Sequence, residues 1–206
     1  MKAFSQACER NKEPILRILR QEFKGAAEVL EIGSGTGQHG AFFAYHMPYL
    51  QWQPSDLEVH HASIVAWSQE RPLPNMAPPL TLDVDQWPWP VAAVDAVFSA
   101  NTAHIIAWGS TVNLIHGAAQ VLREGGALCL YGPMNYYGAY TSDSNAQFDQ
   151  WLRRRDPASG IRDFEAVDEL ARRAGLALAR DYPMPANNRL IVWRKAPAAA
   201  GAKGRP

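Results

Sequence analysis

The strongest constraint on the fold is a short apolar run, EVLEI at residues 28–32, that stops at the glycine-rich segment GSGTGQHG. An apolar run of this length is typical of a buried strand, and the residues that follow the glycines have the pattern of a helix. Glycines between the two allow a tight turn and let the backbone approach a ligand, because no Cβ is in the way. Strand, glycine loop and helix in this order predict a parallel sheet with a ligand at its edge.

The rest of the chain alternates in the same way between strand-like and helix-like segments. Further strands are predicted at residues 50–56, 80–84, 93–101, 127–133, 176–184 and 189–195. Helices are predicted at residues 11–23, 37–47, 58–70 and 110–126 and within about 144–174. In the first helix, Asn11 is the predicted N-cap and Pro14 is predicted in the first turn. Alternation at this spacing predicts an α/β fold with a Rossmann-like parallel sheet and helices on both faces.

Composition excludes several classes of function. The chain has 206 residues, of which 20 are basic and 20 are acidic. A neutral chain lacks the basic face of a dedicated nucleic-acid binder, and we interpret the arginines at 153–155 as the solvated side of a helix. No histidine or cysteine spacing indicates a metal, and Cys8 and Cys129 suggest no disulfide framework. With neither a signal peptide nor a membrane-spanning run, the chain is predicted to be cytoplasmic.

Two glycine frames overlap in the loop and indicate different ligands. Counted from Gly35, GTGQHG fits the GxGxxG pattern of nicotinamide or flavin dinucleotide sites. Counted from Glu31, ExGxGxG is the form found in enzymes that bind S-adenosylmethionine. Gly33 follows the strand directly and would have no function in the dinucleotide frame, whereas the carboxylate of Glu31 would oppose a pyrophosphate and suit a cationic ligand. The second frame, which consists of Glu31, Gly33, Gly35 and Gly37, is therefore favoured.

Acidic residues also end the next two predicted strands. Asp56 follows the second strand, where a carboxylate binds the ribose hydroxyls in either frame. Asp83 follows the third strand and is predicted to accept a hydrogen bond from the adenine N6 amine. Because the carboxyl ends of parallel strands meet at one edge, these acids and Glu31 together predict an S-adenosylmethionine site. Neighbouring residues complete the predicted cofactor site: Ser34, Leu57, Val84, Ala100 and Asn101.

With these residues in place, the chain resembles the class I methyltransferases, and more closely the family that includes the methyltransferase-like 26 protein. The resemblance covers nearly the whole chain and rests on segments in order, among them ERNKEPIL, WQPSD, LDVDQWPW, ANTAHI and GPMNYYGAYTSDSNAQFDQWLRRRDP. It implies a seven-stranded, mostly parallel sheet whose last strand is antiparallel, with S-adenosylmethionine as cofactor and S-adenosylhomocysteine as product. It also implies that the first helix covers the cofactor, which adds Arg10 and Asn11 to the predicted cofactor site. Thr102 and Ala107 depart from the pattern of the family, so the pocket wall there is expected to differ.

Two histidines are candidates for catalysis. Methyl transfer is a displacement in which the protein mainly aligns the reactants, and a base is needed only if the acceptor arrives protonated. His104, after the fourth strand, is the best candidate for such a base, and packing against the cofactor is the alternative. His39 lies in the first turn after the glycine loop, where the helix N-terminus disfavours its cationic form.

The segment after the fifth strand is aromatic, glycine-rich and polar, which is typical of a pocket wall or a lid. Tyr131, Asn135 and Tyr140 are predicted to contact the substrate. Arg162 is predicted either to bind a carboxylate of the substrate or to pair with the adjacent Asp163.

The sequence therefore predicts one domain at residues 1–195, with an N-terminal helical lid at 1–24, a substrate-side elaboration at 132–175 and a disordered tail at 196–206. The predicted function is methyl transfer from S-adenosylmethionine to a small molecule, by a monomer or homodimer that binds neither nucleic acid nor membrane. A cofactor-binding module without methyl transfer is the alternative, and an NAD-type oxidoreductase is a remote one.

Overall fold

The computed structural model describes residues 1–197, so residues 198–206 of the predicted tail lie outside the described part. The strands of the described part are β1 (Glu28–Ile32), β2 (Gln51–Asp56), β3 (Leu80–Thr81), β4 (Val94–Ala100), β5 (Leu122–Gly132), β6 (Met134–Asn135), β7 (Arg162–Asp163), β8 (Leu176–Met184) and β9 (Asn188–Lys195). Its α-helices are α1 (Gln6–Glu22), α2 (Gln38–His46), α3 (Glu58–Ser68), α4 (Trp108–Val121), α5 (Asp143–Arg155) and α6 (Phe164–Arg173). A short 3-10 turn, Pro185–Asn187, joins β8 to β9.

Seven of the strands form one sheet in the order β3-β2-β1-β4-β5-β9-β8. In this order, the five strands from β3 to β5 are parallel to one another, whereas β9 is antiparallel to both β5 and β8. β6 and β7 form a separate two-stranded pair. The prediction of a seven-stranded, mostly parallel sheet with an antiparallel last strand is confirmed. Its order reverses between β1 and β4, which is where sheets of this kind bind ligands.

The central strands bury both of their faces, and this is why helices cover the two sides of the sheet. In β5, Leu128 and Leu130 belong to the core that contains α4 and α6. Cys129 and Tyr131 belong to the opposite core, which contains α1, α2 and α3. Because successive side chains of a strand point to opposite faces, an uninterrupted apolar strand requires apolar helices on both sides.

The start of the first helix differs from the prediction. α1 begins at Gln6, and Ser5 is its N-cap, with Ser5 Oγ accepting a hydrogen bond from the amide of Cys8 at 3.3 Å. Asn11 and Pro14 therefore lie inside the helix, so the predictions of Asn11 as N-cap and of Pro14 in the first turn were both wrong. The turn before Asn11 lacks the apolar periodicity that would have extended the predicted helix, but serine is a strong capping residue.

The end of α4 also differs, because the glycine pair at 125–126 does not stop a helix. The helix ends at Val121, and β5 begins at Leu122. A Cβ on Gly126 would lie 2.8 Å from the carbonyl oxygen of Asp95 on β4. Glycine is required there because two strands approach each other closely.

Candidate functional site

At the carboxyl edge of the sheet, hydrogen bonds from the glycine loop and from Ser55 join the end of β1 to the end of β2. The first two amides after β1, those of Gly33 and Ser34, both donate to the carbonyl of Ser55 at 3.0 Å. Ser55 Oγ donates to the carbonyl of Glu31 at 2.6 Å. The glycine loop therefore begins in a fixed position beside the end of β2.

Three glycines of this loop adopt left-handed backbone conformations, with φ of +71° at Gly33, +55° at Gly35 and +88° at Gly37. A Cβ on Gly33 would lie 2.4 Å from Oγ1 of Thr102, and a Cβ on Gly37 would lie 2.6 Å from Cα of Ile64. A Cβ on Gly35 would meet no atom within 4 Å. Among the three, Gly35 therefore borders open space, which a ligand could fill against the backbone.

Gly40, the last glycine of the GxGxxG match, has a different role. It lies within α2, where a Cβ would come 2.6 Å from Glu31 Oε2 and 3.1 Å from Nε1 of Trp52. Gly40 thus allows α2 to pack closely on the sheet, a role that the last glycine also has in dinucleotide sites, so it does not distinguish the two frames.

Glu31 is buried, with 2% of its surface exposed, and its Oε2 accepts two hydrogen bonds. Ser34 Oγ donates at 2.9 Å and Trp52 Nε1 donates at 3.0 Å. Burial raises the pKa of Glu31 from its ordinary value of 4.5 to about 7, although the two hydrogen bonds oppose the change. A cationic group beside Glu31 would favour its ionised form, so this carboxylate is suited to a cationic ligand.

Asp56, at the end of β2, binds the loop through both of its carboxylate oxygens. Oδ2 accepts from the amide of Gly35 at 2.7 Å, and Oδ1 accepts from the amide of Leu57 at 2.7 Å. An ionised carboxylate offers about four acceptor positions, so about two remain for hydroxyl groups of a ligand. Asp56 and the open space at Gly35 are therefore adjacent.

Asp83 lies in a turn rather than in a strand, because β3 consists of Leu80–Thr81 alone. Its Oδ1 accepts from the amide of Asp85 at 3.0 Å, and its Oδ2 accepts from Nε2 of Gln86 at 3.4 Å. Val84 beside it packs against the core. Asp83 stabilises its own turn, and its contact with adenine stays a prediction.

The end of β4 contacts both neighbouring strands. Ala100 pairs with Tyr131 of β5, and the amide of Asn101 donates to the carbonyl of Tyr131 at 2.8 Å. Asn101 has a left-handed φ of +58°, which turns the chain sharply. Thr102 then lies against Gly33, so the β4 loop and the glycine loop are in contact.

A buried polar cluster connects α1 to α2. His39 Nε2 donates to Oδ1 of Asn11 at 2.7 Å, and His39 Nδ1 lies 3.8 Å from Sγ of Cys8. Burial, together with the charge of Lys12, lowers the pKa of His39 to about 4, so the ring is neutral. The neutral ring donates from Nε2 and accepts the thiol proton of Cys8 at Nδ1. Both nitrogens of His39 are therefore engaged by α1.

The segment before α1 is bound to α2 and α3. The amide of Ala3 donates to Ser63 Oγ at 2.9 Å, and Trp67 Nε1 donates to the carbonyl of Ala3 at 2.8 Å. The amide of Ser5 donates to Oε1 of Gln38. Gln38 Nε2 is buried without a hydrogen-bond partner in the described part of the chain. Arg10, in contrast, is exposed.

On the other side of the edge, His104 is 4% exposed and lies against β5 and α5. A Cβ on Gly132 would come within 3.2 Å of its Nδ1, and the ring of Phe148 lies 5.5 Å away, edge to face. Burial lowers the pKa of His104 to about 4, and the charge of Arg162 adds to the effect. Neither ring nitrogen accepts or donates a hydrogen bond within residues 1–197.

Arg162 is buried and binds backbone carbonyls instead of a carboxylate. Its Nε donates to the carbonyl of Ala103 at 2.9 Å, and its Nη2 donates to the carbonyls of Ile106 and, at 3.1 Å, Ala158. Asp163 forms no ion pair with it in the described structure. The guanidinium thereby joins the loop after β4 to the segment before β7.

The other predicted substrate residues have separate surroundings. Tyr131 is 3% exposed, and burial raises its pKa while a hydrogen bond from Asn11 opposes the rise. Asn135 is 8% exposed, and its Oδ1 is buried with no partner among the described residues. Tyr140 donates its hydroxyl to Oδ2 of Asp149 at 2.8 Å. The structure thus brings Tyr131 to α1 and ties Tyr140 to α5.

Sequence reasoning missed the residues that hold the predicted ones in place. Trp52 binds Glu31, Cys8 contacts His39, and Phe148 packs against His104. The partners are far apart in the sequence, so no local pattern identified them.

The described residues were also compared with the requirements of a metal site and of a membrane-spanning helix. No group of three or more histidine, cysteine, aspartate or glutamate side chains in residues 1–197 is arranged to hold a metal ion. None of the described helices is both long and apolar enough to cross a bilayer.

Solved structures with the same architecture include two O-methyltransferase family proteins and PigF, which was solved with SAH. An O-methyltransferase family protein from Burkholderia thailandensis matches with a TM-score of 0.77 and 17% identity, over 91% of this chain and 57% of that one. An O-methyltransferase family 2 protein from Planctomyces limnophilus DSM 3776, solved with apigenin, matches with a TM-score of 0.80 and 15% identity, over 90% and 56%. PigF with SAH matches with a TM-score of 0.74 and 16% identity, over 88% and 61%.

These similarities show that the chain has the class I methyltransferase fold. The chain spans a little over half the length of the solved structures that it matches. Within that fold class it belongs to the family described as "Protein of unknown function (DUF938)", whose sequence model matches residues 2–195.

Proposed function

We propose that this chain is an S-adenosylmethionine-dependent methyltransferase that acts on a small molecule. One observation carries the proposal: the backbone at Gly35 borders open space next to Asp56, whereas Thr102 and Ile64 fill the space at the other two loop glycines. This space lies at the order reversal of the sheet, where ligands of this fold bind. The resemblance to the family that includes the methyltransferase-like 26 protein supports the same function.

The residues around this space fit the parts of such a cofactor. Asp56 would accept hydrogen bonds from the ribose hydroxyls with the lone pairs that Gly35 and Leu57 leave free. Glu31 would face the cationic end, and Asp83 would accept from the adenine amine. Bound S-adenosylmethionine supplies a sulfonium methyl group, whose bond to sulfur breaks as the bond to the acceptor forms and sulfur keeps the electron pair.

Two segments of the chain would have separate roles in methyl transfer. Residues 1–195 form one domain, in which residues 1–24 cover the cofactor and residues 132–175 border the acceptor. The hydrogen bond between Asn11 and His39 supports the first of these roles, because it holds α1 beside the glycine loop. Arg10 is exposed, so it would contact the cofactor only from the rim.

Near the acceptor, the chain provides neutral groups that orient rather than a strong base. With a pKa of about 4, His104 is neutral at pH 7. A hydroxyl with a pKa of about 10 would give its proton to such a ring in about one molecule in a million. We therefore propose that His104, Tyr131 and Asn135 position the acceptor. His39 is the less direct candidate, since Asn11 and Cys8 occupy its nitrogens.

The low pKa values of the two histidines favour one alternative, a module that binds the cofactor without transferring its methyl group. Both candidate histidines have pKa values of about 4, so neither is an effective base at neutral pH. Cofactor binding without turnover over thiol, amine, hydroxyl and carboxylate acceptors would support this alternative.

Two glycine variants of the full chain provide a matched test. Gly35→Ala and Gly37→Ala both place a side chain at a left-handed φ, which costs roughly 1–2 kcal/mol. Only the second creates a clash, with the backbone of Ile64. We expect Gly35→Ala to fold and to lose affinity for S-adenosylmethionine in calorimetry, and Gly37→Ala to lose stability in thermal unfolding as well.

The wild-type chain, titrated with S-adenosylmethionine and with NAD, is the reference for both variants. Tighter binding of NAD, or unchanged affinity for S-adenosylmethionine in a folded Gly35→Ala variant, would overturn the proposal.

A further inference from the structure

The charge of Arg162 lacks an anionic partner in the described structure. Three of its five N–H donors are used by the carbonyls of Ala103, Ile106 and Ala158, and Nη1 donates to none of the described residues. Burial lowers the pKa of Arg162, the charge of Arg153 adds to this, and Asp149 opposes it. Asp149 is itself paired with Arg153 at 2.7 Å. The three side chains together therefore carry one net positive charge, and Asp163, whose charge acts on Arg153, forms no ion pair with Arg162 in the described structure.

Large apolar side chains are exposed beside Arg162 and on the neighbouring segments that contain or contact His104. The ring of Trp108 lies 5.9 Å from Cζ of Arg162 and is 39% exposed. Trp151 is 47% exposed and stacks on Phe148 with the ring centroids 5.8 Å apart. Ile105, which follows His104, is 54% exposed. Exposed aromatic surface beside a few polar groups is typical of a ligand site.

His104 is linked to Arg162 through the backbone and to the stacked rings of Phe148 and Trp151 through its side chain. It follows Ala103, whose carbonyl binds Arg162, and its own ring packs against Phe148. Its ring nitrogens have no partner within the described chain, and it is 4% exposed. A polar group of a ligand could therefore hydrogen-bond to His104 while an aromatic ring lies against Phe148 and Trp151.

We propose that the acceptor site binds planar aromatic anions, with a carboxylate or phenolate oxygen held by Nη1 of Arg162 and the ring packed against Trp108 and Trp151. This inference rests on the proposed methyltransferase function and names its substrate class. A buried guanidinium without an anion favours an anionic ligand, because opposite charges attract strongly where water is excluded.

This substrate class also agrees with the absence of a strong base among the residues placed at the site. An oxygen that arrives as an anion already has a free electron pair, so no side chain needs to remove a proton. Methylation converts the anion to a neutral ester or ether, which Arg162 attracts less, so the product is expected to leave more readily than the substrate binds.

The test uses the full chain saturated with S-adenosylhomocysteine and measures the binding of benzoate and benzamide by calorimetry. The two probes have the same planar ring and differ in charge. We expect benzoate to bind at least about tenfold more tightly at low salt, a difference of about 1.4 kcal/mol. Cyclohexanecarboxylate, which has the charge but not the planar ring, is expected to bind more weakly than benzoate.

Variants separate the charge from the ring contact. Arg162→Gln should abolish the preference for benzoate, and Arg162→Lys should retain part of it. Trp151→Ala should weaken the binding of benzoate and benzamide alike, whereas Trp87→Ala, at another exposed tryptophan far from Arg162 in the sequence, should change neither. If Arg162→Gln does not fold, the Lys and Trp151 variants and the probe comparison decide the question.

The outcomes distinguish this inference from the function on which it rests. Failure of the wild-type chain to bind S-adenosylhomocysteine would overturn the proposed function and the acceptor site with it. Binding of S-adenosylhomocysteine together with equal affinities for benzoate and benzamide, or with no binding of either at millimolar concentration, would overturn only the assignment of the acceptor.

Discussion

At the scale of single residues, burial determines which side chains of the candidate site are charged. It lowers the pKa of His39 and of His104 to about 4, and it raises the pKa of Glu31 to about 7. At neutral pH both histidines are therefore neutral and Glu31 is partly ionised. A cationic cofactor would meet a carboxylate that can ionise on binding, without repulsion from either histidine.

His104 is expected to act by positioning the acceptor. We predict that His104→Ala lowers turnover about ten- to a hundredfold at saturating cofactor, less than the roughly hundred- to ten-thousandfold typical of a lost general base. Cofactor affinity in calorimetry should stay unchanged. The pH profile of the wild-type rate should show no break near pH 6.5 that His104→Ala removes, because the pKa of His104 is lowered to about 4.

His116→Ala is the matched control, since His116 is an exposed histidine on α4. Its rate should equal that of the wild type. A His104→Ala variant with an unchanged rate would remove His104 from the acceptor site.

At the scale of elements, α1 is the part whose role depends most on contacts with other elements. The segment before it is bound by Ser63, Trp67 and Gln38, and the helix itself by His39. The sequence predicted a helix here, because Ile15 and Leu19 recur at helical spacing, and both residues are buried. It did not predict the true start, since α2 and α3 hold the segment before the helix.

This arrangement predicts that the N-terminal segment slows the release of cofactor. Deletion of residues 2–4 removes the hydrogen bonds to Ser63 and Trp67 and leaves Ser5, the N-cap of α1, in place. We expect S-adenosylhomocysteine to dissociate at least about fivefold faster in stopped-flow measurements, the effect of losing about 1 kcal/mol. Far-UV circular dichroism should change little.

Trp67→Phe, which loses the bond to the carbonyl of Ala3 but keeps an aromatic ring beside Lys2 and Phe4, should give a smaller increase in the same rate. Equal dissociation rates in the deletion variant and the wild type would show that the segment does not cover the cofactor.

At the scale of the whole molecule, Glu31 makes the stability of the fold depend on pH. Its pKa is about 7 in the folded chain and near 4.5 when exposed, so between these values the folded state binds more protons than the unfolded state. The free energy of unfolding therefore falls as the pH rises from about 4.5 to 7, and Glu31 contributes no further change above that range. The shift corresponds to about 3 kcal/mol.

Glu31→Gln should remove this dependence, because an amide oxygen can still accept from Ser34 and Trp52 but cannot ionise. We predict that the variant is more stable than the wild type by up to about 3 kcal/mol at pH 8 and equally stable at pH 4, in denaturant unfolding.

Glu28→Gln, on the same strand but paired with Arg123 at the surface, is the control and should change stability by no more than about 1 kcal/mol. A Glu31→Gln variant less stable than the wild type at pH 8 would contradict the raised pKa of Glu31.

The sequence by itself determined the α/β class, the parallel core of the sheet and the position of the glycine loop. These features depend on short-range rules, namely the alternation of apolar residues along the chain and the freedom of glycine to adopt a left-handed φ. Gly33, Gly35 and Gly37 all have that conformation, and Asp56 ends β2 as predicted.

Only the tertiary structure decided which of these residues are charged and what holds them. Glu31 is bound by Trp52, His39 by Asn11, and Arg162 by the carbonyl of Ala103, which lies 59 positions away in the sequence. Hydrogen bonds of this kind form only when separate elements pack together, and the pKa of a side chain depends on the water that this packing excludes. Neither quantity has a local signal in the sequence.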